Sequence, residues 1–172
     1  MPHPATLDEP SLLALCELRR QRRSGPGGQH RNKVETAIVL IHMPSGIRAE
    51  ATERRSQAEN RRMALHRLRV KLALGVRSWG AAELPSEMFE PSPLWQGRLR
   101  GAKLTVAVEH PDFPALLAEA LDAVAQSQFD VSAAADHLGC TPSQLVKFLK
   151  VEPEALQQVN EQRTAIGLKP LH

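Results

Sequence analysis

Two hydrophobic periods organise the chain. From Val34 to His42 the run Val-Glu-Thr-Ala-Ile-Val-Leu-Ile-His is rich in β-branched residues, and after Met43-Pro44-Ser45-Gly46 a second alternating run covers Ile47 to Thr52. Two such runs around a Pro/Gly turn predict a β-hairpin. Next, Ala58, Ala64, Leu65, Leu68 and Leu72 recur at helical intervals as far as Gly75, and Ser56 with Glu59 has capping-box spacing. A helix is predicted from about Gln57 to Leu74. Ahead of the hairpin, Pro10-Ser11 followed by Leu12, Leu13 and Leu15 predicts a short helix, and Cys16 to Arg23 reads as a polar strand.

In the second half the pattern is helical throughout. Leu116, Leu117, Leu121 and Val124 mark a helix over 112–126, Asp130 is placed to cap residues 131–138, Thr141-Pro142 has N-cap and N1 chemistry for a helix to about Leu149, and Glu152-Pro153 begins another. A short helix, the Gly139 turn and the helix after Thr141 resemble a helix-turn-helix, with Ser143, Gln144 and Lys147 exposed on its second member. Between the halves, Gly-Val-Arg-Ser-Trp-Gly and then Pro85, Pro91 and Pro93 suit neither a long helix nor a strand. The expected architecture is α+β: residues 1–78 with a β-hairpin packed on a helix, a linker over 79–101, and a small all-helical module over 102–172.

Composition narrows the function classes. With 172 residues, 42% hydrophobic and 24% charged, the chain is of ordinary globular make-up and too short for a large multidomain enzyme. No apolar run reaches the roughly 18 residues of a membrane span, and the first residues lack a signal-peptide pattern, so a cytoplasmic, membrane-free protein is expected. Cys16 and Cys140 have no C-x-x-C neighbour, and neither an H-E-x-x-H pair nor a P-loop is present. No metal or cofactor is expected.

Charge is divided unevenly. Residues 1–75 carry 14 Lys+Arg against 7 Asp+Glu, a net +7, whereas residues 76–172 carry 8 against 12, a net −4. The first half is therefore expected to meet a polyanion, with nucleic acid the leading class, and the second is not expected to do so broadly. All six aromatic residues, Trp79, Phe89, Trp95, Phe113, Phe129 and Phe148, lie in the second half. The basic half cannot stack bases on rings, which points to recognition of phosphate and shape. On the predicted helix Arg55, Arg62 and Arg69 fall on one side near His66, a basic ridge or a solvated face, while Arg61 and Lys71 flank the apolar stripe.

The segment Arg19 to Lys33, RRQRRSGPGGQHRNK, has no hydrophobic residue and places Gly25, Pro26, Gly27, Gly28 and Gln29 between two clusters of positive charge. Paired glycines permit positive φ and close approach of backbone to a ligand, and Arg22, Arg23, Arg31 and Lys33 can hold the flanks against phosphate. A β-like run follows the segment, so a dinucleotide-binding fingerprint is excluded.

Residues 24–72 closely resemble the catalytic domain of class I peptide chain release factors. The resemblance rests on Gly27-Gly28-Gln29, Asn32-Lys33, the Pro44-x-Gly46-Ile47 turn, and Arg55-Ser56-Gln57 with Asn60, in order over about fifty residues. It implies a GGQ-type catalytic domain acting at the large-subunit rRNA of the ribosome on peptidyl-tRNA, with Gly27, Gly28 and Gln29 as the catalytic residues. The Gln29 backbone N–H would stabilise developing charge and its side chain would admit water. His30 is not needed as a base. The resemblance also implies that a glutamine methyltransferase is a partner through Gln29. It fits the composition, since the segment holds no Ser/His/Asp triad and catalysis must rest on orientation and fixed dipoles.

Only 26 residues precede Gly27, too few for the codon-reading domain of full-length factors, so the resemblance favours the short, codon-independent members that rescue stalled ribosomes, acting as monomers. Two features depart from that group: Arg31 replaces a small apolar residue, and the chain ends Arg163-Thr-Ala-Ile-Gly-Leu-Lys169-Pro-Leu-His172 without a strongly basic tail. A DNA-binding helix-turn-helix regulator and a non-catalytic ribosome- or RNA-binding module are the rival readings.

Overall fold

The computed structural model describes residues 2–21, 36–77 and 90–172, which divide into two compact units with the boundary between Val76 and Arg77. The first unit opens with a 3-10 turn, Pro4–Thr6, and α1, Glu9–Ala14, whose N-cap Asp8 accepts from Ser11 N. Strands β1 (Cys16–Gln21), β2 (Ala37–His42) and β3 (Arg48–Ala51) form an antiparallel sheet in the order β1-β2-β3, and α2, Gln57–Gly75, packs on β2 and β3. The expected hairpin and helix are thus both present, the helix capped by Ser56 Oγ accepting from Glu59 N at 3.4 Å.

The register assigns the two faces of the sheet. Leu18, Leu40 and Ala49 are cross-strand partners, as are Arg20, Ile38 and Ala51; Leu40, Ala49, Ile38 and Ala51 are buried. On α2 they meet Ala64, Leu65, Leu68 and Leu72, the predicted stripe, all buried. Ala58, also expected in that stripe, is exposed, and the buried residue of the first turn is Asn60 instead. On the other face Val39 is buried, and its cross-strand partners Arg19 and Glu50 pair with Glu17 and Arg48.

Gly75 is the last residue of α2 and not a left-handed cap; a Cβ there would come within 2.8 Å of Ile47 Cδ1, so close approach to the hairpin explains the glycine. The turn between β2 and β3 is held by Gly46 N to His42 O at 2.8 Å and by the contact between His42 Nδ1 and Ser45 Oγ at 2.8 Å.

The second unit contains α3 (Pro93–Arg98), β4 (Leu99–Arg100), β5 (Lys103–Leu104), α4 (Phe113–Gln126), α5 (Val131–His137), α6 (Pro142–Leu149) and α7 (Pro153–Ala165). Two expectations are corrected here. The module is helical apart from the short β4–β5 hairpin, and it does not begin after a linker ending at 101, because residues 93–104 belong to it. Trp95 of α3 is fully buried, donates Nε1–H to Leu138 O at 2.8 Å and meets Phe148 edge-on at 5.8 Å, while Phe113 packs on Phe148 at 5.6 Å. Leu116, Leu117, Leu121 and Val124 fill the space around these rings. The predicted caps hold: Asp130 accepts from Ser132 N and Ala133 N, and Thr141 from Gln144 N. Gly139, at φ +66°, makes the turn between α5 and α6, a conformation that costs a side-chain-bearing residue on the order of 1 kcal/mol.

Trp95→Ala is expected to destabilise this unit by about 3 to 5 kcal/mol, through an aromatic-sized cavity and an orphaned Leu138 carbonyl. Trp95→Phe, which keeps a ring and loses the donor, is expected to cost less. Urea unfolding of the full chain followed by far-ultraviolet circular dichroism ranks the two; equal midpoints for wild type and Trp95→Ala would contradict the assignment.

Candidate functional site

Residues 22–35 lie outside the described residues, and with them Arg22, Arg23, Gly27, Gly28, Gln29, His30, Arg31 and Lys33. What the structure describes is the frame on which that segment is mounted. It leaves the sheet after Gln21 and returns at Thr36, and Gln21 is the ladder partner of Ala37, so departure and return are neighbours at one end of the β1–β2 ladder. Six residue pairs, Cys16 to Gln21 against His42 to Ala37, hold those ends together.

The return end is fastened by Asn60. Its carboxamide is fully buried; Nδ2 donates to Thr36 O at 2.6 Å and to Arg54 O at 2.9 Å, and Oδ1 accepts from Arg54 N at 2.9 Å. Both amide hydrogens and the carbonyl oxygen are thus used, and three segments, the entry to β2, the turn after β3 and the first turn of α2, are joined at one side chain. Sequence periodicity missed this role, because Asn on a helix surface ordinarily reads as solvated; its place in the motif resemblance was the available signal.

The cations of α2 and its approach separate into two groups. Arg67 donates to Glu50 O at 2.8 Å and to Glu53 at 2.7 Å, which holds the Glu53 carboxyl down at about 2, and Lys71 donates to Arg48 O at 3.1 Å. Arg61 pairs with Glu9 at 3.3 Å. Arg69, expected on the basic ridge, is half-buried and donates to Leu7 O at 2.8 Å, tying α2 to the turn before α1; the structure places it as a brace. Arg55 and Arg62 are exposed and make no hydrogen bond or ion pair among the described residues. Arg20, one residue from the end of β1, and Arg54 are also exposed, and sequence reasoning had passed over both.

Among the described residues the two thiols and the buried His42 are poor nucleophiles. Burial pushes the thiol of Cys16 up, and burial followed by the Asp136 charge pushes Cys140 up to about 11. Both remain protonated at neutral pH. His42 is buried, which lowers its pKa, and its Nδ1 is engaged by Ser45. No group of three His, Cys, Asp or Glu residues among those described is arranged to hold a metal ion, and no described helix is long and apolar enough to cross a membrane.

The class defined by these features is a small α+β domain that mounts a glycine-rich, basic connection across the end of an antiparallel ladder. Residues 14–84 match the family model of the RF-1 domain, and this segment is similar to peptide chain release factors. Over 74 residues the chain is 44% identical to the mitochondrial peptide chain release factor 1-like protein of Rattus norvegicus, covering 40% of this chain and 20% of that protein. It is 44% identical over 63 residues to the chloroplastic peptide chain release factor PrfB1 of Arabidopsis thaliana, covering 37% of this chain and 14% of that one. With peptide chain release factor 1 of Ureaplasma parvum it shares 45% over 62 residues, 36% of this chain and 16% of the relative. The chain thus spans a small part of the length of the curated relatives it matches.

Asn60→Ala is expected to destabilise the first unit by roughly 2 to 4 kcal/mol, since three backbone groups lose their partner in a buried place. Asn60→Asp, nearly isosteric, should cost about as much, because Thr36 O and Arg54 O both need a donor where a carboxylate offers only acceptors. Denaturant midpoints of the two variants test this; a wild-type midpoint for Asn60→Asp would show that the amide donors carry little.

Proposed function

We propose that this chain hydrolyses the ester of peptidyl-tRNA on the ribosome and so releases the nascent peptide, with Gly27, Gly28 and Gln29 as its catalytic residues. The single observation that carries the reading is the coincidence of the RF-1 match over 14–84 with a frame that fastens both ends of the GGQ-bearing segment, through the ladder and Asn60. In this mechanism the glycines bring the Gln29 backbone N–H against the developing oxyanion and the Gln29 side chain orients water. The rate gain comes from fixed dipoles and orientation. Gln29 is also the site proposed for a glutamine methyltransferase.

Arg22, Arg23, Arg31 and Lys33 hold the segment against large-subunit rRNA and peptidyl-tRNA, and Arg55 and Arg62 extend the footprint. Arg69 leaves the RNA-binding set, since its guanidinium is committed to Leu7. Codon-independent rescue by a monomer is the proposed mode. In its favour, the unit that follows the RF-1 segment is helical with an acidic balance. Its compartment is that of the ribosome it serves, for which we propose the cytoplasm.

Gly28→Ala is expected to reduce single-turnover release from purified ribosomes carrying peptidyl-tRNA by at least about 100-fold, the magnitude associated with losing one oxyanion donor, while ribosome binding changes little. The same assay with and without a stop codon in the A site separates rescue from termination: equal rates support codon independence. Wild-type release by Gly28→Ala would remove the catalytic assignment.

Replacing Arg55 and Arg62 together by Gln should weaken ribosome binding and reduce the slope of log affinity against log salt by about 1 to 2, one counterion release per lost phosphate contact. Arg69→Gln should leave the slope unchanged and instead lower the denaturation midpoint. A steeper loss of slope from Arg69→Gln than from the pair would reverse these roles.

A further inference from the structure

The net negative charge of the second unit conceals a local inversion. Of its 8 Lys and Arg residues, Lys147, Lys150 and Arg163 line one open concavity of about 520 Å³, with the hydroxyls of Ser132 and Ser143 on its wall. One lining side chain, Asp130, is a carboxylate, and it is occupied as the N-cap of α5, accepting from Ser132 N and Ala133 N. None of the three cations forms an ion pair among the described residues, although the unit has 12 Asp and Glu to offer. Three cationic side chains around one carboxylate leave an excess of positive charge, and an anionic ligand relieves the repulsion among them.

The concavity is held in shape. Arg163 of α7 donates from Nη1 to Phe129 O and from Nε to Lys169 O at 2.9 Å. Its first partner lies in the turn where Gln128 and Phe129 take positive φ, 50° and 62°, so the guanidinium braces a strained turn while facing the concavity. Its second partner belongs to the end of the chain, which Asn160 folds back by donating from Nδ2 to Leu171 O at 3.1 Å and accepting from Leu171 N at 2.7 Å. Leu171 and His172 form the remaining wall. Lys147 and Lys150 are exposed and three positions apart at the end of α6, so they stand side by side on one helical face.

We infer that this concavity binds backbone phosphate of structured RNA through Lys147, Lys150 and Arg163. Two mobile ammonium groups flanking a fixed guanidinium, with hydroxyl donors beside them, suit the tetrahedral, multiply accepting oxygens of a phosphodiester. No Phe or Trp lines the concavity, and its one ring is the imidazole of His172, so the donors available there are chiefly ones that read phosphate. The choice of RNA over other phosphates rests on the ribosomal reading above. On that reading the site is a second foothold, separate in the chain from the arginines of the RF-1 segment.

The test uses the full chain, a mixed-sequence RNA duplex of about 20 base pairs and the DNA duplex of the same sequence. Lys147→Gln/Lys150→Gln is expected to lower RNA affinity about 10-fold near 0.1 M salt and to reduce the salt slope by about 1 to 2. The charge-matched control Arg100→Gln/Lys103→Gln, on the β4–β5 hairpin, should leave both unchanged, and Lys147→Arg/Lys150→Arg should retain wild-type binding. Both lysines are exposed, so circular dichroism should be unaltered. An unchanged slope for the Lys147/Lys150 pair, an equal effect from the hairpin control, or sequence-selective preference for the DNA duplex would each overturn the inference. Peptide release measured on the same samples separates it from the catalytic reading: a reduced slope with no release by wild type supports the phosphate site and fails only the hydrolase, whereas normal release with an unchanged slope fails only the phosphate site.

Discussion

The first unit depends on a buried carboxamide. Asn60 gives up its water and recovers three hydrogen bonds, all to backbone groups, one at Thr36 and two at Arg54. That exchange is favourable only because each polar atom of the side chain finds a partner of the right sense, two acceptors for the amide hydrogens and one donor for the oxygen. It fixes the turn after β3 to the start of α2, and so sets where the helix enters and which of its faces meets Ile38, Leu40, Ala49 and Ala51. Through Thr36 it also fixes the point at which the glycine-rich connection rejoins the sheet. An ion pair in that place would carry a larger desolvation cost and a pH dependence; an amide carries neither charge nor titration.

The arginines of α2 show how one residue type serves two ends. Arg67, Arg69 and Lys71 spend their donors on the carbonyls of Glu50, Leu7 and Arg48, groups that the sheet edge and the turn before α1 leave without a ladder partner. Arg55 and Arg62 are exposed and make no such bond among the described residues. Charge counting along the helix cannot separate these groups, because angular position places Arg62 and Arg69 together, while Arg55 precedes the Ser56 cap and lies outside the helix. What divides them is the depth at which each leaves the helix and which neighbouring backbone is unpaired, both tertiary facts.

The same distinction explains what could be read from the sequence. The hairpin, α2 and the four later helices were legible because their apolar spacing is strong and their caps, Ser56, Asp130 and Thr141, are local chemistry. The motif elements around the glycines were legible as a family pattern, which the match over 14–84 supports at the level of the domain. Residues 93–104 were not, since Pro91, Pro93 and Gly97 read as breakers. Yet Ser92-Pro93 has the N-cap and N1 chemistry recognised at Thr141-Pro142, with Ser92 Oγ accepting from Trp95 N at 3.1 Å. Glu119 accepts from Ser92 N and Oγ, both at 2.6 Å, and fixes this helix on α4. Six residues are too few to display a period, and only the burial of Trp95 reveals that they are core.

A reaction without a side-chain nucleophile places a particular demand on such a scaffold. If the reacting groups are a backbone N–H and a carboxamide, neither of which can be made more reactive by shifting a pKa, then position is the only variable the protein controls, and errors of the order of an ångström forfeit most of the effect. Rigid termini meet part of that demand: the ladder pairs Gln21 with Ala37, and Asn60 holds the adjacent Thr36 carbonyl. The remainder must come from the surface against which the glycine-rich segment is laid. Its composition is consistent with this division of labour, since fourteen residues without a hydrophobic side chain from Arg20 to Lys33 can gain nothing from a core of their own and much from phosphate. On the proposed reading, catalytic geometry would be completed by the RNA, with the protein supplying the donors, the charge and two fixed ends.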